Sequence, residues 1–247
     1  MYTKILSYKD LTELSSKVAV YIAALSKDNI KEKGLYTMAL SGGKTPGLLY
    51  ETLTHSTLWW EKIHIFLVDE RYVPYSDPLS NFSLVQKTLL SKISIPQHNV
   101  HPINTEISPP ENAATLYADE LKTFFEMRGN YPVFDLILLG IGEDGHTASL
   151  FPGRKHSEAE NVLVKAVGPA PIDPKVPRIT LTLGVINNAA NIAFLVSGKN
   201  KAAIVKRVVE EKDTTLPAAM VKPHSGNLLF FLDKPASSKL SNTIRIF

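Results

Sequence analysis

The chain has 247 residues, of which 44% are hydrophobic and 21% charged, with 27 Lys plus Arg against 24 Asp plus Glu and no cysteine. That composition belongs to a globular protein able to bury roughly three quarters of its unfolded surface, and it excludes disordered, collagenous and disulfide-stapled chains. Thiol catalysis, Cys-ligated zinc and iron-sulfur clusters are excluded with the missing cysteines.

A net charge of +3 with no run of five Lys or Arg is weak ground for nucleic-acid binding, and none is expected. No apolar stretch approaches the ~18 residues that cross a bilayer, and the first twenty residues carry Asp10 and Glu13 instead of a basic start and an apolar run. A cytoplasmic protein with no membrane contact is the expectation.

In chain order, Leu11, Leu14, Val18, Ile22 and Leu25 share one helical face, with Asp10 as a candidate cap and Gly34 suited to the turn that follows. Short, nearly continuous apolar runs at 36–40, 63–68, 134–139 and 192–196 predict strands buried on both faces, as in a parallel sheet. Leu116, Leu121, Phe124 and Phe125 predict a further helix face, with Pro109 and Pro110 near its start. Four prolines between 169 and 177 mark a loop and not a domain linker, so residues 1–247 are expected to form a single α/β domain.

Each predicted strand runs into a polar cluster: Ser41-Gly42-Gly43-Lys44-Thr45-Pro46, Asp69-Glu70-Arg71, Gly140-Ile141-Gly142-Glu143-Asp144-Gly145-His146, and Ser197-Gly198-Lys199-Asn200-Lys201. In open parallel sheets ligands bind beyond the carboxyl ends of the strands, so four such ends point to one site. The Gly42-Gly43 turn suits either a tight bend that needs glycine dihedrals or a backbone cradle for an anion, and it lacks the spacing of a Walker A loop. Three charges at 69–71 are ordinarily a solvated loop, yet the Arg71 guanidinium suits two-point binding of phosphate or carboxylate.

His146 is the candidate proton carrier, because imidazole is matched to proton transfer near neutral pH, and Asp144 two residues earlier could orient it. No Gly-x-Ser-x-Gly elbow, His-Glu-x-x-His motif or metal-spaced His cluster is present. General-base activation of water by His146 is the simplest chemistry left, with no cofactor or metal expected.

These residues resemble the 6-phosphogluconolactonases. The resemblance rests on the turn at 41–46, Asp69-Glu70-Arg71, Ser80-Asn81, the fourteen-residue run from Gly140 to Gly153, and Arg178-Ile179-Thr180-Leu181-Thr182-Leu183. It spans essentially the whole chain; Gly184 stands where the family usually has proline. It implies a Rossmann-like, mostly parallel sheet with helices on both faces, of the type shared with glucosamine-6-phosphate deaminases. It also implies hydrolysis of 6-phospho-D-glucono-1,5-lactone to 6-phosphogluconate, a step of the oxidative pentose phosphate pathway, without a cofactor. By the same resemblance His146 is the base with Asp144 near it, while Ser41, Gly42, Gly43, Thr45, Arg71 and Lys201 hold the phosphate and Arg178 contacts the anionic substrate. The oligomeric state is left open. The related deaminases resemble the chain less, since they carry a glutamate where Phe151 stands and an aromatic residue where Arg71 stands. A sugar-phosphate-binding regulator would be marked by loss of His146 or an added DNA-binding segment, and neither is seen.

Overall fold

The computed structural model describes residues 2–127, 131–156 and 161–242. Its strands are β1 (Thr3–Tyr8), β2 (Tyr36–Leu40), β3 (Ile63–Leu67), β4 (Asp69–Arg71), β5 (Val100–His101), β6 (Leu136–Leu139), β7 (Val164–Val167), β8 (Arg178–Leu181), β9 (Asn191–Val196) and β10 (Asn227–Asp233). Its α-helices are α1 (Leu11–Lys33), α2 (Lys44–Leu53), α3 (Asn81–Thr88), α4 (Pro110–Phe124), α5 (Leu183–Asn187), α6 (Ala202–Val209) and α7 (Lys234–Ser237).

Seven strands form one sheet in the order β1-β10-β9-β6-β2-β3-β5, every pair parallel. Every residue of β2, β6 and β9 is buried, as continuous apolar runs covered on both faces require. Crossovers carrying α1, α2 and α3 step towards β5, and those carrying α4, α5 and α6 step towards β1. Right-handed crossovers therefore put the two groups of helices on opposite faces. The chain leaves β2 towards β3 but leaves β6 towards β9, so the neighbouring ends of β2 and β6 form a topological switch point, where such sheets bind ligands.

Local sequence sets several boundaries. The Asp10 side chain accepts the Glu13 N–H at 3.0 Å and caps α1, which ends at Gly34 in the left-handed region (φ +83°). Pro110 opens α4, where its missing N–H costs nothing. Leu116 does not join the apolar face of α4: it is 52% exposed, while Ala113, Ala114, Tyr117 and Leu121 are buried. A spacing of five residues turns a helix by about 500°, which takes Leu116 well off the face of Leu121. Phe134 is buried but precedes β6, and Val68 is buried but follows β3. In α5, a side chain at Gly184 would occupy the space filled by the Tyr131 ring.

The residues 69–71 are a larger departure from expectation. They form β4 of a second, antiparallel sheet, β4-β8-β7, with Asp69 opposite Thr180, Glu70 opposite Ile179 and Arg71 opposite Arg178. Asp69 is 5% exposed and Glu70 0%. Glu70 is tolerated there because its carboxylate accepts N–H bonds from Arg71 (2.7 Å), Asn81 (2.6 Å) and Phe82 (2.7 Å) and the Ser80 hydroxyl (3.0 Å). It thus meets the positive N-terminal end of α3. Burial pushes its pKa up against the pull of those four donors. The proline-rich stretch links β7 and β8, and Arg178 fixes it by donating from Nη2 to the Pro174 carbonyl at 2.8 Å.

Candidate active site

A cavity of about 490 Å³ opens at the β2–β6 switch point. It brings together Ser41, Gly42, Gly43, Thr45, Arg71, His146, Arg178 and Lys201, drawn from the ends of β2, β4, β6, β8 and β9. Asp144 stands behind His146, outside the lining.

The first wall is the turn after β2. Gly43 adopts φ +107°, which favours glycine, and precedes α2, whose first turn has no side-chain cap. The leading N–H groups of α2 are thus left to a ligand at the positive end of the helix. Gly42 has no room for a Cβ, which would fall 1.7 Å from the Asn81 Oδ1. The Ser41 hydroxyl donates to the Leu138 carbonyl at 2.7 Å, and Tyr50 donates to the Ser41 carbonyl at 2.6 Å. The first bond ties the turn to the end of β6 and commits the Ser41 proton to the protein, and the second ties the turn to α2.

The second wall is cationic. Arg71 and Arg178 are paired across β4 and β8 and both line the cavity, so two like charges there favour an anion. Burial lowers the Arg178 pKa, the Arg71 charge lowers it further, and Asp69 and Glu70 act in the opposite sense. Arg71 donates from Nη1 to the Leu79 carbonyl at 2.6 Å. Lys201 closes a short 3₁₀ turn, Lys199–Lys201, that leads into α6. Asp233 at the end of β10 holds that turn, accepting from the Ser197 hydroxyl at 2.5 Å and the Gly198 N–H at 3.0 Å. Burial lowers the Lys201 pKa, partly offset by Glu143 and Asp144.

The third wall carries the imidazole. His146 Nδ1 lies 2.5 Å from Asp144 Oδ1, which also accepts the His146 backbone N–H at 3.2 Å. Burial pushes the Asp144 pKa up, but the hydrogen bonds and charge of His146 outweigh it and hold the carboxyl below its ordinary range. An ionised Asp144 only accepts, so Nδ1 bears a proton, and in the neutral ring Nε2 is then the acceptor. A Cβ at Gly142 would fall 2.0 Å from His146 Nδ1 and 2.5 Å from Asp144 Oδ1. Glycine there is a condition of the pair. Phe151, buried, packs its ring 5.0 Å from the imidazole and offers no carboxylate to it.

Lys44 of the turn at 41–45 also lines the cavity, as do Asp69, Asn81, Glu143 and Asn200, to which the sequence alone assigns no role. Asn200 donates to Glu143 Oε1 at 2.7 Å, joining the loops after β9 and β6 across the mouth. Residues 57 positions apart carry no local signal of such a contact. Among the described residues no three His, Asp or Glu side chains converge in a way that could hold a metal ion, and no helix is long and apolar enough to cross a membrane.

Comparison with known proteins agrees with this fold. The profile described as glucosamine-6-phosphate isomerases/6-phosphogluconolactonase matches residues 9–230. A 6-phosphogluconolactonase of Synechocystis is 42% identical over 85% of this chain and 87% of its own, and that of Rattus norvegicus is 37% identical over 93% and 90%. Among solved structures, the 6-phosphogluconolactonase of Thermotoga maritima superposes with a TM-score of 0.83 at 35% identity, covering 94% of this chain and all of that one. The enzyme of Trypanosoma brucei gives a TM-score of 0.85 at 29% identity, covering 97% and 99%. A monomeric glucosamine-6-phosphate deaminase shares the fold at 23% identity and a TM-score of 0.80. The chain belongs to the family of glucosamine-6-phosphate isomerases and 6-phosphogluconolactonases, on its lactonase branch.

Proposed function

We propose that the protein hydrolyses 6-phospho-D-glucono-1,5-lactone to 6-phosphogluconate in the pentose phosphate pathway, as one cytoplasmic domain, with His146 as general base. The observation that carries this reading is His146, backed by Asp144, facing one cleft with an uncapped helix start and the four cations Lys44, Arg71, Arg178 and Lys201. The 6-phosphogluconolactonases to which the chain is similar give the substrate class.

The phosphate, a dianion near neutral pH, is held by the backbone of Gly42, Gly43 and the start of α2 together with Thr45, Arg71 and Lys201. Arg178, braced by the carbonyls of Pro174 and Val176, adds positive potential beside Arg71. With that end fixed, the lactone carbonyl is presented to a water on Nε2 of His146. Nε2 takes a proton as the water oxygen bonds to C1, giving a tetrahedral oxyanion. Its collapse breaks the bond between C1 and the ring oxygen, and the imidazolium returns the proton to that oxygen. The products are a hydroxyl at C5 and a carboxyl that ionises. Asp144 keeps the ring in the required tautomer and stabilises the imidazolium while it exists.

The test is turnover of freshly prepared lactone by the purified protein, after subtraction of spontaneous ring opening. Saturable acceleration is expected. A rate equal to the spontaneous one would contradict the proposal.

A further inference from the structure

Asp69 is a buried carboxylate on the cavity wall between the phosphate end and the imidazole end. Its Oδ2 accepts the Ser149 hydroxyl at 2.6 Å. Asn81 Nδ2 lies 2.8 Å from the Asp69 carbonyl and 3.3 Å from Oδ1. Through these side chains Asp69 touches both halves of the site. Asn81 packs onto Gly42 of the anion turn, and Ser149 lies three residues after His146.

The His146–Ser149 segment needs such a restraint. Ala148 adopts φ +49°, a left-handed conformation that an alanine holds only when its surroundings fix it. Thr147 is anchored on one side by its hydroxyl to the Gly140 carbonyl (2.9 Å). On the other side Ser149 has two anchors, its hydroxyl to Asp69 and its N–H to the Thr180 hydroxyl (3.2 Å). Thr180 is the residue opposite Asp69 in the small sheet. The buried polar contacts thus form one bridge from the anion turn, across β4, to the loop that bears the base.

We propose that Asp69 is a positioning residue that sets the spacing between the anion turn and His146, acting through Asn81 and Ser149. This inference rests on the lactonase reading. A substrate clamped by its phosphate reaches the base only if that spacing is right, because reacting atoms must lie about 3–3.5 Å apart and a 1 Å error costs on the order of 100-fold. A substrate without a phosphate is not clamped and adjusts freely.

The test compares phosphorylated and unphosphorylated gluconolactone as substrates of the full chain. Ser149→Ala, which deletes one hydroxyl, is expected to lower kcat on the phosphorylated lactone by about 10- to 100-fold with KM within about threefold. On unphosphorylated gluconolactone the loss is expected to be about threefold or less, so the ratio of the two activities falls. Asp69→Asn keeps an oxygen that can accept from Ser149 and is expected to retain most of the ratio, whereas Asp69→Ala lowers it as Ser149→Ala does. A general loss of stability would lower both activities together and leave the ratio unchanged, which would overturn the inference. It would equally be overturned if Asp69→Asn abolished turnover of both substrates while Ser149→Ala kept the ratio, since the carboxylate would then act directly. Wild-type protein that turned over neither lactone would remove the lactonase reading itself, and the inference with it.

Discussion

His146 Nδ1 and Asp144 Oδ1 are 2.5 Å apart directly over the Cα of Gly142, in space that any other residue at 142 would fill with its own Cβ. The pair and the glycine are one unit. Gly142→Ala is therefore expected to displace the imidazole and lower kcat at least tenfold, while the phosphate end, built from other loops, keeps KM within about twofold. Steady-state kinetics on the folded variant check this; an unchanged kcat would mean that the ring is free to move without consequence.

Lys201 offers a separation of binding from chemistry. A contact to phosphate, remote from the bond that breaks, is similar in ground and transition states and appears mainly in KM. Hydrogen bonds to charged groups contribute roughly 1.5–3 kcal/mol, so Lys201→Ala is expected to lower kcat/KM by about 10- to 150-fold. The loss should vanish with unphosphorylated gluconolactone. A kcat/KM within twofold of wild type on the phosphorylated lactone would remove Lys201 from the phosphate site.

Much of this site is legible before any coordinates. Strands β2, β3, β6 and β9 are nearly continuous apolar runs, each followed within two residues by glycine or charge, and parallel packing brings those ends to one edge of the sheet. Strand β10 has the same signature in Asn227–Asp233 yet is not among the predicted strands, and β1, a half-exposed edge, has no clean pattern. The Asp69-Glu70-Arg71 segment misleads for a physical reason. Its charges are compensated by α3 and by β8, and β8 lies more than 100 positions along the chain, so composition alone reads as solvated. The same holds for the Ser149–Asp69 contact, 80 positions apart, and for Leu116, where apolar content suggests a buried face that helical geometry denies.

Acid sensitivity is expected at the edge of the main sheet, away from the cleft. His64 Nδ1 lies 3.1 Å from His101 Nε2, and His101 Nδ1 lies 2.6 Å from Glu120. Burial, and then the charges of His101 and His98, lower the His64 pKa to about 4. In the unfolded chain His64 titrates near 6.5, so between about 6.5 and about 4 the unfolded state binds more protons. Stability is expected to fall as pH drops through that window and to level off below it for this group. Denaturant titrations of wild type and His64→Gln at pH 7 and pH 5 check this. The variant should lose less between the two pH values, and an equal loss would show that His64 does not carry the effect.

Activity is expected to survive chelation. The donors needed for a bound metal ion do not converge among the described residues, and the proposed steps use only a water and the imidazole. Incubation with a chelator followed by assay should leave the rate unchanged; restoration only on adding a divalent ion back would reveal a ligand set outside those residues.

The most direct measurement is kcat for His146→Ala against wild type on fresh 6-phosphogluconolactone, with spontaneous opening subtracted and folding confirmed. A positioned general base contributes about 10²- to 10⁴-fold, and a fall of that size with little change in KM is predicted. An unchanged corrected kcat in a folded variant would contradict the account, because His146 would then be structural and the water would be activated elsewhere.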